Sequence, residues 1–248
     1  IMTSKILKKI IGILGYKLVE KNLIKNNRLI NSKSILNLNF ILKKIFDNQK
    51  IKYLIQIGAN DGSRFDELNK FIKEYKIKSI LVEPINEYFE NLKKNYQNFE
   101  NVHFENSAIT VGNKEKEIFV VNNKNLIDYG EHIKGINSFD KNHLIKHGVK
   151  SNHIIKKKIN CISISKLLEK YNISNLDLLF IDAEGYDADI LIDFLNSSKQ
   201  EPILIFEYIH VKNKILKNLI GMLVDKNYSY FRINENLICL PNKIEKFL

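Results

Sequence analysis

Cysteine is nearly missing from this chain: Cys161 and Cys239 are its two, far apart and without C-x-x-C spacing. That excludes a disulfide framework and a thiolate zinc site, and leaves both as small apolar residues. Proline occurs three times and never in tandem, so the Asp/Asn-Pro-Pro-Tyr/Phe loop used on exocyclic base amines is absent. No apolar run is long enough to span a bilayer, and the first residues lack the small-residue cleavage site of a secretory signal. A cytoplasmic location is expected. Acids are outnumbered, 28 against 39 Lys and Arg, for a net charge of +11. A solvated basic face is the default reading of such a surplus; nucleic acid, an anionic membrane surface and a phosphorylated substrate such as a sugar nucleotide are the sharper ones.

What is present is a chain of 248 residues, 44% hydrophobic, enough for one sizeable α/β domain with an appendage. Its centre is KYLIQIGANDGS, residues 52–63. A strand-length apolar run, Tyr53 to Ile57, enters Gly58-Ala59-Asn60-Asp61-Gly62, after which Phe65, Leu68, Phe71, Ile72 and Tyr75 recur at helical spacing. A second strand, Ile80-Leu81-Val82, ends on Glu83. In a doubly wound sheet these ends share a crevice, glycines let the backbone approach a ligand, and the terminal carboxylate accepts ribose hydroxyls. Of the dinucleotide pattern G-x-G-x-x-G only Gly58 and Gly62 remain, and Asp61 between them would repel a pyrophosphate. S-adenosylmethionine, with an ammonium and a sulfonium but no phosphate, removes that objection. A structural turn in another α/β protein is the competing reading of the glycines alone.

Residues 1–49 read as an N-terminal helical extension and 50–248 as the main domain. Ile6, Leu7, Ile10, Ile11 and Leu14 oppose Lys5, Lys8, Lys9 and Lys17 in a basic amphipathic helix. It suits packing on the domain or on a second copy in a homo-oligomer, with peripheral contact through residues 5–17 at the inner face of a membrane as the alternative. Ser34 is placed to cap a second helix carrying Ile35, Leu38, Leu42 and Ile45. Beyond Glu83, a helix with Tyr88, Phe89, Leu92 and Tyr96 precedes a strand at Val102 to Phe104, whose end brings Ser107 and Ala108 to the expected adenine position. An added strand is expected at Lys116 to Val121. Residues 122–153 show no period and read as a substrate-binding lid. His143 and His147 lie four apart within it; lacking an intervening glutamate or a third ligand, they read as surface histidines.

A short strand at Lys158 to Ile162 and a helix with Leu167, Leu168 and Tyr171 lead to LDLLFIDAEG. There an apolar strand, Leu178 to Ile181, delivers Asp182 and Glu184 to its carboxyl end. The strand Ile203 to Phe206 ends likewise on Glu207, followed by His210. Three strands ending in acids at one edge of one sheet argue for a site. Tyr228 to Leu240 reads as a closing hairpin across Asn234-Glu235-Asn236.

The segments QIGANDGS, LVEPINEYFENLKKN, ENSAI, the NSF at Ser138, CISISKLLEKYNI, LDLLFIDAEGYD and ILIFEYIH resemble, in order and spacing, FkbM-type S-adenosylmethionine-dependent methyltransferases over roughly residues 50–210. The resemblance implies the class I methyltransferase fold, a Rossmann-like seven-stranded sheet with its last strand antiparallel. It implies cofactor contacts at Gln56, Gly58, Asn60, Asp61, Gly62, Glu83, Pro84, Asn86, Ser107, Ala108 and Ser138. Two departures stand out: Gln56 where an aspartate is commoner, and Asp187 where a glutamate is usual. The implied activity is O-methylation of a sugar hydroxyl on a sugar nucleotide or glycan, leaving S-adenosylhomocysteine. Its chemistry needs positioning and a route for one proton. Asp182 and Glu184 are the first candidates for that proton, then Glu207 and His210. The same acids could hold magnesium or manganese, although nothing in the sequence requires a metal. The alternatives are a nucleic-acid methyltransferase, which would explain the charge but lacks the proline loop, and a non-catalytic membrane-associated scaffold; a nicotinamide oxidoreductase ranks below both.

Overall fold

The computed structural model describes residues 36–64, 66–112, 114–242 and 244. The basic helix expected over residues 5–17, with Ser34 and Ile35 of the second helix, lies outside the described residues. That second helix runs as α1 (Leu38–Asn48) and buries Leu38, Ile41, Leu42, Ile45 and Phe46 on one face. The compact unit containing the sheet begins at Leu38, so α1 packs with the strands it precedes. The chain continues as β1 (Tyr53–Ile57), α2 (Asn69–Tyr75), β2 (Lys78–Val82), α3 (Asn86–Asn95), β3 (Val102–Glu105), β4 (Ala108–Ile109) and β5 (Glu115–Val121). Then come α4 (Glu131–Lys134), α5 (Lys141–Lys146), β6 (Ile154–Ile162), α6 (Ile164–Lys170), β7 (Leu178–Ile181) and α7 (Asp187–Ser197). The strand β8 (Ile203–Glu207), the helix α8 (Asn213–Asp225) and the strands β9 (Tyr228–Ile233) and β10 (Asn236–Pro241) complete it.

Seven strands form one sheet in the order β3-β2-β1-β7-β8-β10-β9. Neighbours are parallel except at β10, which lies antiparallel between β8 and β9. This is the class I methyltransferase sheet. Its central strands are mostly apolar, Gln56 of β1 being an exception, because helices cover both faces. Along each strand alternate side chains go to opposite cores: Ile55, Ile80, Leu179 and Leu204 meet Leu167, Leu191, Phe194 and Leu219 on one face. On the other, Leu54, Leu81, Phe180 and Ile205 meet Ile41, Phe71 and Leu92. The register sets Ile57 opposite both Val82 and Ile181, and Ile181 opposite Phe206. The residues that follow, Gly58, Glu83, Asp182 and Glu207, therefore share one edge. Strand order reverses between β1 and β7, which is where such sheets open a crevice.

Three expectations change. The helix after the first glycine turn starts at Asn69 and not near residue 65, because Asp66 Oδ1 accepts the amides of Leu68 (2.8 Å) and Asn69 (3.1 Å) at its entrance. Strand β6 begins at Ile154, four residues before Lys158, and pairs with β5 from Ile154 to Asn160 and with β4 at Cys161 and Ile162. Its lysines face outward to Glu117, Glu87 and Glu115, which hid the strand's alternation. Residues 122–153 are not irregular: α4, α5 and the 3-10 turns Asn123–Asp128 and Ser151–His153 surround a cluster of Val121, Ile133, Ile136, Leu144, Val149 and Ile154. No short element contributes more than one or two apolar residues to it, too few to show a period. Among the described residues, no helix is long and apolar enough to cross a membrane.

Candidate active site

The crevice begins where β1 turns. Gly58 has φ +82°, and a Cβ there would lie 1.9 Å from the Asp182 carbonyl oxygen. Only glycine lets the β1 turn pass so close to the end of β7. The amides of Gly58 and Ala59 both donate to the Val82 carbonyl (3.0 Å each), locking that turn to β2. Asn60, at φ +49°, donates its amide to Glu83 Oε2 (3.0 Å), and Ile85 donates to Glu83 Oε1 (2.8 Å). Glu83 is buried and lines the crevice. Burial pushes its carboxyl up to about 7, against the two amides, which favour the charge.

Beside it the buried Gln56 donates Nε2 to Asp66 Oδ1 (3.1 Å). Gln56 Oε1 and Asp66 Oδ2 are buried and accept no hydrogen bond among the described residues. Both residues line the crevice. Leaving such acceptors bare costs about 1–3 kcal/mol each, so the pair is shaped for a donor, and best for a cationic one. Asp66 went unread in the sequence, where no spacing ties it to Gln56.

The crevice also takes in Pro84, Ser107, Ala108 and Ser138, with Ile109 and Ile118 as apolar wall. Ser107 Oγ donates to Glu105 Oε1 (2.8 Å), and Glu105 is pinned in turn by Lys170 (2.6 Å) and the Tyr171 hydroxyl (3.1 Å). Three expected cofactor contacts do not line it. Asp61 Oδ1 accepts the amides of Ser63 (3.0 Å) and Arg64 (2.9 Å), and its Oδ2 pairs with Arg64 Nε (2.9 Å). Burial opposes its charge, yet these partners outweigh burial and hold the carboxyl below the usual range. Gly62, at φ +67°, makes room for α3: a Cβ would lie 2.3 Å from Leu92 Cδ1. Asn86 is exposed at the start of α3.

At the second turn Glu184 takes φ +49° and Gly185 φ +95°. Ser138 Oγ donates to the Glu184 carbonyl (2.8 Å), and the fully buried Asp187 accepts the amides of Ala183 and Gly185 (3.2 Å each). A strained turn is thus held from two sides. Burial pushes Asp187 up to about 7 despite those amides. Asp182 is an exposed residue that lines the crevice; desolvation of its carboxyl, then Glu184, Asp187 and Glu207, raises it well above the usual range. Glu207 is pushed up to about 8 by burial and then by Asp187 and Glu184. Asp182 and Glu184 line the crevice, whereas Glu207 and His210 stand just outside its lining.

His210 Nε2 lies 3.7 Å from Glu207 Oε2, and burial followed by His143 lowers its pKa. The surface reading of the other histidines fails here. His143 is buried with Nε2 2.8 Å from Glu184 Oε2. The His143 ring centroid lies 4.6 Å from that of His147 and 4.5 Å from that of His210. The missing third partner comes from 63 positions beyond His147, at the end of another strand. The segment expected as a lid supplies Gly135, Asn137, Ser138 and Phe139 to the crevice. Phe139 and Tyr186 pack edge to face at 5.1 Å, with Lys116 Nζ 4.0 Å and 4.7 Å from their ring centres.

Comparison with known proteins gives a family model described as the methyltransferase FkbM domain, matching residues 56–230. Comparison with curated protein sequences yields no match. Among solved structures, the methyltransferase FkbM of Methylobacillus flagellatus KT is similar at 13% identity and a TM-score of 0.47, over 76% of this chain. The chain spans 43% of the length of that protein. The METTL16 methyltransferase domain is similar at 12% identity and a TM-score of 0.45, over 82% of this chain and 66% of that one. An rRNA methylase of Streptococcus thermophilus is similar at 6% identity and a TM-score of 0.43, over 84% of this chain and 99% of that one.

Proposed function

Since this chain belongs to the FkbM methyltransferase family, we propose that it is an S-adenosylmethionine-dependent O-methyltransferase. Its acceptor is a sugar hydroxyl, on a sugar nucleotide or a glycan intermediate of bacterial surface polysaccharide. The observation that carries the cofactor is the pair of bare acceptors, Gln56 Oε1 and Asp66 Oδ2, lining the same crevice as the Glu83 carboxylate. An ammonium satisfies the pair, and a ribose diol suits the carboxylate. Ser107 and Ala108 would border the adenine. When bound, S-adenosylmethionine supplies a methyl group made electrophilic by its sulfonium.

The chain's own work is positioning and proton removal. Asp182 opens on the crevice at the end of β7 with its carboxyl raised well above the usual range, which makes it a stronger base than an ordinary carboxylate toward a weakly acidic hydroxyl. Ser138 and Asp187 act through the turn that places it. Phe139 and Tyr186 with Lys116 across them form an aromatic wall bearing a cation, which suits a sugar ring linked to phosphate. The test is to incubate the protein with methyl-labelled S-adenosylmethionine and a panel of sugar nucleotides. Label in the sugar after acid hydrolysis is expected. Label only in the base, or transfer to RNA and not to sugar, contradicts the acceptor class.

A further inference from the structure

We propose that His143, His147 and His210, together with Glu184, form a binding site for one divalent first-row transition-metal ion beside the crevice. His143 lies in α5 and His147, four residues on, is its C-cap, so the two stand one turn apart on the same side. His210 approaches from the end of β8. The ligating nitrogens of the three all lie within 4.8 Å of one another, and the ligand atoms of Glu184, Glu207 and His210 do so as well. Glu184 Oε2 is 2.8 Å from His143 Nε2 and joins the two sets. Metal–nitrogen bonds are about 2.0–2.1 Å long, so each donor closes by under about 1 Å to seat an ion. Rotation of the His147 and His210 rings, neither fully buried, supplies that.

Three features separate this from ordinary histidine packing. Three imidazoles from two segments far apart in sequence converge, with ring centroids 4.6, 4.5 and 5.5 Å apart. Their supports are built: Asp140 caps α5 through the Asn142 amide (2.9 Å), and Ser138 and Asp187 fix the turn that presents Glu184. Such outer partners are what orients a ligand set. The donors are also chemically mixed, three imidazoles and a carboxylate, a set that favours zinc, cobalt, iron or manganese over magnesium, which prefers oxygen alone. Any effect of the ion on methyl transfer rests on the methyltransferase reading; the site does not.

The test uses Zn²⁺ and Co²⁺ as probes on the whole protein stripped of metal. One Zn²⁺ per chain is expected by calorimetry, and the Co²⁺ form should show visible ligand-field bands. His147→Ala and His210→Ala should each weaken Zn²⁺ binding at least about a hundredfold. His103→Ala, on the exposed side of β3, should bind as the parent does. S-adenosylhomocysteine titrated into the same variants reports folding and cofactor binding separately. If His147→Ala and His210→Ala retain full Zn²⁺ affinity, if the parent binds none at micromolar Zn²⁺, or if equimolar Mg²⁺ displaces Co²⁺, the site is overturned. Zn²⁺ binding without S-adenosylhomocysteine binding leaves the site standing and removes the methyltransferase reading.

Discussion

The two turns of the crevice edge are built from the same parts, an apolar strand, acids and a glycine, yet they differ in how crowded their carboxylates are. At the β1–β2 end, Glu83 and Asp61 are each met by backbone amides, and Arg64 adds its guanidinium to Asp61. At the β7–β8 end, burial and then neighbouring acids, Glu184 among them, raise Asp182, Asp187 and Glu207. At the first end amides and a guanidinium hold each carboxylate in place, although burial raises Glu83 to about 7, and that fixed placement suits binding. Charge at the second is unsettled, which suits moving a proton or holding a cation.

The comparison breaks first at Asp182. Asp182→Asn should lower turnover by about 10²–10⁴-fold, the usual worth of a general base, with S-adenosylhomocysteine affinity within about threefold of the parent. Unchanged turnover removes its catalytic role. Glu83→Ala is the converse case: loss of two charge-assisted hydrogen bonds at about 1.5–3 kcal/mol each should abolish cofactor binding at micromolar ligand. A calorimetric Kd like the parent's would sever Glu83 from the ribose. Asp66→Asn should be milder, about tenfold in affinity, since it removes charge but keeps the side chain's shape; no change would mean that Asp66 does not meet the ammonium.

The smallest effect is on stability. Glu83 and Asp187 are raised to about 7 and Glu207 to about 8, from ordinary values of 4.5, 3.8 and 4.5. Through that range the folded chain holds more protons than the unfolded one, so its stability falls as pH rises. The contribution is whole below about pH 4 and lost through pH 7 to 8. The urea midpoint of the ligand-free protein should therefore be lower at pH 8 than at pH 5, and Glu207→Gln should shrink the difference. A midpoint that rises over this interval contradicts the crowded edge.

The sheet was legible because its signals are local. Strand runs such as Leu178 to Ile181, and acids at their ends, need only period and position to be read. Glu83, Asp182 and Glu184 came to the crevice for that reason. What escaped was set by contacts distant in sequence or by very local capping. His210 joins His143 and His147 from the end of β8, and no spacing rule links them. Asp66 finds Gln56 only when the chain folds back across the turn. Asp61 was expected at the ligand, but the amides two and three residues on claimed its carboxylate first, a competition typical of aspartate in turns.

The most direct measurement is calorimetric titration of S-adenosylhomocysteine into the purified protein, with NAD titrated in parallel. The methyltransferase account predicts that S-adenosylhomocysteine binds one per chain and NAD does not. Binding of NAD, or of neither, would contradict it.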